Sequence, residues 1–307
     1  MKIFSGFEGT SVIRNPVVTT GSFDGVHIGH KTILSRLRLL SEKYDGESVL
    51  ITFNPHPRKV LYPDTVGKDL KLINSQEEKL ELLRKTGLDN VIIVEFTREF
   101  SRITSEEFVR DFLHGILKAK VIVAGFNHHF GFNKEGDYKH LWGWREKYSF
   151  EAEEIPEQEV QHETVSSTKI RKAISEGYIQ RANAYLDHYY IVIGRPEKYQ
   201  VPGSSELPSL FFVPVTEECK LLPATGVYAV SVSNDNYAVK GMALIMQKES
   251  DNSSYILLHI FENEEEFSGR KTTILFHKMI HGTVSISDPS LRRRLDTAKA
   301  EITELIY

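Results

Sequence analysis

Cysteine is almost missing from this chain: Cys219 is the only one among 307 residues. An intrachain disulfide and a thiolate metal cluster are therefore excluded, and such usage suits a reducing compartment. Long apolar runs are missing too, none approaching the ~20 residues that a membrane span needs. The stretch from Met1 to Asn15 mixes Lys2, Glu8 and Arg14 among small residues, with neither an apolar segment nor a small-residue cleavage site. Positive charge is not in excess: 38 Lys and Arg against 42 Asp and Glu gives −4, which argues against a general binder of nucleic acid or membrane surface. What is present is ordinary globular composition, 40% hydrophobic and 26% charged, which removes disordered and collagen-like readings. A soluble cytoplasmic protein is expected, and the length points to two domains.

The first half alternates short β-rich apolar runs with helical patterns. Val17–Thr20, 48–53, 91–94 and 121–124 read as strands. Between them, Ile33, Leu34, Leu37 and Leu40 recur at helical spacing from Gly29 to Tyr44. Ser75 with Glu78, and Thr104 with Glu107, have the spacing of capping boxes, the second opening a helix through Leu117. This alternation predicts a parallel, helix-covered α/β sheet, in which ligands bind beyond the carboxyl ends of the strands. Texture changes near Gly194. Residues 195–208, with three prolines, read as an irregular connection. The runs 227–232, 237–246, 255–261 and 272–276 follow without intervening helices, the pattern of an antiparallel sheet or barrel. A closing helix is predicted with Asp288 as N-cap, Pro289 at its first position, and Leu291, Leu295, Ala298, Ile302 and Leu305 on one face.

Two segments carry chemistry. The run from Gly21 to His30, GSFDGVHIGH, leaves the first predicted strand and opens the first helix. Amides at a helix start are orphan donors and the dipole there favours anions, so phosphate is the natural guest. His27 and His30, three apart, are neighbours on one face and can donate hydrogen bonds to a phosphoryl group. The alternative is a turn with two solvated histidines. The second segment, Val165 to Arg171, places hydroxyls at a helix start with Lys169 and Arg171 in its first turn. Cations there oppose the dipole, a small cost that a polyphosphate would offset. A plain serine N-cap with two exposed basic residues would look the same. His128, His129, His140 and His162 tempt a metal reading, but adjacent residues point apart and chelate poorly, so exposed loop residues are expected. Trp142 and Trp144 are expected to pack within a helix.

Taken together, HxGH after a first strand and SSTxIR before a late helix resemble the nucleotidyltransferase superfamily. Further matches lie between them: Thr52 to Pro57 (TFNPHP), Phe96, Thr97, Phe100, Glu107 to Val109, and Gly125 through Gly131. From about Val17 to Tyr185 the chain is similar to the adenylyltransferase half of prokaryotic FAD synthetase, an enzyme usually fused to riboflavin kinase. The resemblance implies a Rossmann-like nucleotidyltransferase domain (1–188) with a parallel sheet, then a smaller antiparallel β-barrel domain (189–307) with a C-terminal helix. It implies AMP transfer from MgATP to FMN, giving FAD and pyrophosphate. On the motif positions, His27, His30 and Arg171 are the catalytic candidates. Gly21, Phe23, Asp24, Gly25, Gly29, Ser167 and Thr168 join them in holding nucleotide, while Asn54, His56, Asn127 and Phe130 face FMN. Mg²⁺ would be held mainly by ATP phosphates, with no protein metal site. Asn127 stands where the family often has Asp, which removes a charge.

The tail resembles the riboflavin kinase outline, a six-stranded barrel, through Leu221-Leu222-Pro223 and Gly226 to Val230. Its chemistry does not carry over. Where the family has Pro-Thr-Ala-Asn this chain has Pro208-Ser209-Leu210-Phe211, and the family's catalytic Glu aligns with Leu257, two before His259. A phenyl ring cannot ligate a cation and leucine cannot accept the riboflavin hydroxyl proton. The expectation is an FAD synthetase without kinase activity, its FMN supplied by a separate riboflavin kinase. A bifunctional enzyme, an adenylyltransferase for another phosphorylated substrate, and a flavin-binding regulator stay open as alternatives.

Overall fold

The computed structural model describes residues 1–126, 128–156, 159–160, 163–200, 207–248, 253–285, 288 and 290–306. Asn127, His162 and Pro289 lie outside them. The chain forms two compact units: Met1–Leu70 with Lys79–Val165, and Lys71–Glu78 with Ser166–Tyr307. Among the described residues no helix is long and apolar enough to cross a membrane.

The first unit contains β1 (Lys2–Ser5), β2 (Val17–Thr20), α1 (Ile28–Lys43), β3 (Ser48–Asn54), α2 (Pro57–Leu61), α3 (Gln76–Arg84, whose first residues belong to the second unit), β4 (Asn90–Glu95), α4 (Ser105–Glu107), β5 (Val121–Gly125), α5 (Tyr138–Trp144), β6 (Glu151–Ile155) and a short pair, β7 (Glu159–Val160) and β8 (Glu163–Thr164). Its six-stranded sheet runs β1-β4-β3-β2-β5-β6 with every pairing parallel. The chain builds outward from β2 to β3 and β4 on one side and to β5 and β6 on the other. The β2/β5 junction is thus a topological switch point, where ligands of such sheets bind.

The four strands expected from apolar runs are the central ones, whose residues are almost wholly buried. Both edge strands escaped the sequence pattern. β1 is exposed along most of its length and β6 reads EAEEI, charged edges that discourage pairing with another sheet. The Thr104–Glu107 capping box forms as expected. Beyond it the helix widens into a π-helix over Phe108–Ile116 and closes with Leu117 N–H donating to the Phe112 carbonyl. Phe53, Phe96, Phe100, Phe108 and Phe112 form a chain of ring contacts at 5.5–6.1 Å. Several residues that match the family motifs therefore pack the core. Trp144 packs against that core, whereas Trp142 is 48% exposed, its ring covered by the Arg145 guanidinium at 4.1 Å. Its expected burial is corrected accordingly.

The second unit contains α6 (Ser167–Ser175), α7 (Ile179–Leu186), β9 (Tyr190–Gly194), β10 (Glu197–Tyr199), β11 (Leu210–Val213), β12 (Gly226–Ser233), β13 (Ala238–Gln247), β14 (Ser254–Ile260), β15 (Thr272–His281) and α8 (Leu291–Leu305). The barrel-like sheet has seven strands where six were expected, all antiparallel, in the order β10-β11-β14-β13-β12-β15-β9. Part of the region read as irregular, 197–199, is strand β10. Leu291, Leu295, Ala298 and Ile302 of α8 pack on Val227, Met242, Leu244 and Leu257 of the sheet. The helix begins later than expected, with Ser290 at the N-cap; Asp288 instead accepts from the Ser290 amide and hydroxyl at 2.8 and 2.7 Å. Leu305, at the frayed end, is 38% exposed and leaves the buried face.

Residues 71–78 come from the first half of the sequence but belong to this second unit. Leu72 bridges to Lys220, and the Lys220 Nζ contacts Glu78 Oε2 at 2.6 Å while donating to the carbonyls of Ile73 and Ile191 at 2.7 and 2.9 Å. Glu78 accepts in addition from the amides of Ser75 and Ile193. The Ser75–Glu78 capping box is therefore real, and it doubles as a buried ion-pair site.

Candidate active site

β2 ends at Thr20 and the chain enters a loop that α1 terminates. Phe23, Gly25 and Val26 in it take φ of 50°, 92° and 40°. Only Gly25 adopts that region without strain; a β-branched residue there is a true outlier. Such strain costs of order 1–3 kcal/mol per residue and persists only where surroundings dictate it. Here burial does so: Phe23 and Val26 are 2% and 0% exposed. The result is a fixed loop that leads from the end of β2 into α1.

His27 is the N-cap of α1, yet its side chain does not cap the helix, and the first turn carries no acidic residue. The amide end of such a helix favours an anion. The His27 and His30 rings stack with centroids 3.6 Å apart, and Phe23 stacks on His30 from the other side at 4.4 Å. Burial foremost, then the neighbouring His27 and Lys79, holds the His30 pKa well below its ordinary value. His30 is therefore a neutral imidazole at pH 7, able to donate one hydrogen bond. Asp24 is buried within the same loop.

The flanking strand ends supply the other residues. Asn54 is exposed at the end of β3. His56 caps α2, its Nδ1 accepting from the Arg58 amide at 3.2 Å, which leaves Nε2 as the protonated nitrogen. Beyond β5, Phe130 lies partly buried on the core rather than open to solvent, 6.2 Å from Phe108. Gly131 (φ 76°) is required, since a Cβ would lie 2.4 Å from the Ser105 amide nitrogen. The carboxyl ends of three adjacent strands, β3, β2 and β5, thus carry His27, His30, Asn54, His56 and Phe130. Asn127 falls outside the described residues. Ser167, Thr168 and Arg171 stand in the first turn of α6 in the second unit, with Ser166 as its N-cap, accepting from the Lys169 amide at 3.4 Å. Ile170, Ala173 and Ile174 bury the opposite face, leaving Thr168 exposed and Ser167 and Arg171 half-buried.

Two residues were misjudged or missed from sequence. His128 is not an exposed loop residue: its Nε2 meets the Thr20 hydroxyl at 2.9 Å and its ring stacks near Phe130 at 5.8 Å. Burial, with a smaller contribution from His129, lowers its pKa to about 4. His129 is exposed, as expected, and His140 is exposed on α5, paired with Asp137 at 2.7 Å. Because the unfolded imidazole titrates near 6.5, only the unfolded chain takes up protons as pH falls below that value. The contribution of His128 to stability is therefore fully present above about pH 6.5 and declines towards pH 4. Urea midpoints measured across that window should flatten in His128→Phe. The missed residue is Lys79, buried on α3 with Nζ 3.2 Å from Thr52 Oγ1. The signal was there: Lys79 shares a helical face with Leu82 and Leu83, at i+3 and i+4, both buried.

Comparison with known proteins bears on the family. The family model for FAD synthetase matches residues 10–169, just over half of the sequence. The chain belongs to the FAD synthetase family. The family's usual second domain is present as well, a riboflavin kinase match over residues 212–302. An FAD synthetase from Listeria monocytogenes is 32% identical over 236 residues, covering 75% of this chain and 89% of its own. A bifunctional riboflavin kinase/FMN adenylyltransferase from the same organism is 30% identical over 274 residues, covering 86% and 83%. The bifunctional enzyme of Escherichia coli K12 is 26% identical and covers 98% and 95%. Relatives of this synthetase thus carry either name. A crystal structure described as a macrolide-efflux protein from Streptococcus pneumoniae shares the fold, with TM-score 0.84 and 24% identity over 98% of each chain.

Proposed function

We propose that this protein is an FMN adenylyltransferase that makes FAD and pyrophosphate from FMN and MgATP, in the cytoplasm. The observation that carries the proposal is the stacked His27–His30 pair at the amide end of α1, on the switch point of a parallel sheet. An FMN phosphate oxygen attacks the α-phosphorus of ATP; the bond to the bridging oxygen breaks and pyrophosphate leaves. No covalent enzyme intermediate is needed, so the protein's task is alignment and stabilisation of phosphoryl charge. His30, as a neutral donor, and the α1 amides serve the α-phosphoryl oxygens, with His27 beside them. We assign Gly21, Phe23, Asp24, Gly25 and Gly29 to the nucleotide loop, Ser167, Thr168 and Arg171 to the β- and γ-phosphates, and Asn54, His56, Asn127 and Phe130 to the FMN side. Mg²⁺ arrives with ATP, consistent with its preference for phosphate oxygens and water.

We further propose that residues 189–307 form a domain without kinase activity, so that a separate riboflavin kinase supplies FMN. Family membership alone does not favour this, since bifunctional relatives share the second domain. The support is local. Phe211 and Leu257 lie on paired strands β11 and β14, Phe211 opposite Leu258 and Phe212 opposite Leu257. Phe211 and Leu257 consequently project from opposite faces, and the residues sharing the Leu257 face are Leu210 and Phe212. All four are apolar, so no carboxylate or carboxamide arises in either register. Leu257 is itself fully buried beside Met242, Leu244 and Leu295, where an ionised base would be costly.

Chromatography of products after incubation with MgATP tests both proposals. FAD from FMN, with neither FMN nor FAD from riboflavin, is the expected result. FMN formed from riboflavin would make the enzyme bifunctional, and FAD from neither flavin would overturn the adenylyltransferase assignment.

A further inference from the structure

Lys79 plays no part in the roles assigned so far. It leaves α3 at the buried face and is 7% exposed. Its Nζ donates to Thr52 Oγ1 at 3.2 Å and to the Ser22 carbonyl at 3.4 Å, and the Thr52 hydroxyl donates to that same carbonyl at 3.2 Å. Thr52, fully buried near the end of β3, is thus the middle of a three-membered clasp. Its third member, Ser22, immediately precedes Phe23, where the loop turns into the left-handed region.

Burying an ammonium is costly, and an apolar residue would suit the helix face shared with Leu82 and Leu83 better. The strained run from Phe23 to Val26 gives the cost a purpose. A loop held out of its preferred backbone conformation needs an anchor at its start, and the Ser22 carbonyl is where Lys79 and Thr52 converge. The same charge reaches His30, where it opposes protonation together with His27 and burial.

We infer that Lys79 is a positioning residue for adenylyl transfer, its ammonium and the Thr52 hydroxyl clasping the Ser22 carbonyl so that the loop presents His27 and His30 in register. The inference rests on the function proposed above. Its consequence is that Lys79 acts on turnover through the loop, without itself touching a reactant, and so affects kcat more than the affinity for FMN.

The test uses the full chain as Lys79→Met and Thr52→Val, with three readouts: kcat and KM for FMN and ATP, the NMR titration of the His30 ring, and thermal unfolding. Lys79→Met is expected to lower kcat by ~10²-fold, the scale of a misplaced reacting group, with KM for FMN within about twofold. His30 should titrate at higher pH than in the parent, a change that a merely structural lysine far from the loop would not produce. Thr52→Val should lower kcat in the same direction while the charge on Lys79 keeps His30 close to its parental titration. Unchanged kcat in a folded Lys79→Met protein overturns the inference. If that variant does not fold, Thr52→Val decides, and an unchanged kcat there overturns it equally. A parent that makes no FAD would defeat the proposed function instead. The His30 titration then judges the clasp alone, and a ring unmoved by Lys79→Met overturns it.

Discussion

Replacing His30 with alanine is expected to lower FAD formation by ~10²–10³-fold, the cost of removing one preorganised donor from a developing oxyanion. The reasoning begins with charge. An imidazolium would hold ATP phosphates in the ground state as firmly as in the transition state, and so would raise affinity more than rate. Burial and the neighbours His27 and Lys79 prevent that by keeping the ring neutral. A neutral donor gains most when charge grows on the oxygen it meets, which is the moment of transfer. Position adds to this, because the ring is wedged between His27 and Phe23 at 3.6 and 4.4 Å and has little freedom to turn. The loss should therefore fall on kcat, with KM for ATP changing far less, as steady-state kinetics with FMN would show. Turnover unchanged in the alanine variant would remove His30 from the machinery. The fold should survive, since the ring is only half-buried and its neighbours hold the loop from both sides.

The largest effect on stability is expected at Lys220→Met. Lys220 and Glu78 have side chains 0% and 1% exposed and meet at 2.6 Å. Removing one member of such a pair strands the other's charge, at a cost of ~3–5 kcal/mol. The Lys220 ammonium is well served here: beside Glu78 it reaches two carbonyls and lies over the Tyr190 ring at 4.3 Å. Methionine keeps the volume and gives up all of these. Changing Glu78 to leucine as well would remove the stranded carboxylate but orphan the amides of Ser75 and Ile193, each worth ~1–3 kcal/mol when buried without a partner. The double variant should accordingly recover part of the loss and not the whole. Equilibrium unfolding in urea of both single variants and the double gives the coupling directly. A loss below ~1 kcal/mol in Lys220→Met would mean that the pair is dispensable.

Much of this was readable in the order of residues, for identifiable reasons. Central strands such as Val121–Gly125 are apolar on both faces and announce themselves; β1 and β6, half-exposed and charged, do not. The His27–His30 pair was legible because helical spacing brings i and i+3 together whatever the tertiary fold. His128 was not, because its partner Thr20 is 108 positions away and nothing local announces a packed imidazole. Lys79 was visible as a lysine on an apolar face and passed over, since such residues usually extend their charge to solvent. The pairing of Glu78 with Lys220 spans 142 positions and could not be foreseen from either side. Its capping box could, being a rule of three residues. Local rules thus located several element ends, though not the start of α8, and long-range charge pairs had to await the structure.

The inclusion of residues 71–78 in the second unit bears on how such a chain could be shortened. Where two domains follow one another like beads, a single stop codon discards the second and spares the first. Here a stop after residue 188 would leave Glu78 without Lys220 and Leu72 without its bridge, at the very start of the helix that carries Lys79. Truncation there would therefore leave a buried carboxylate without its cation and cost stability in what remains.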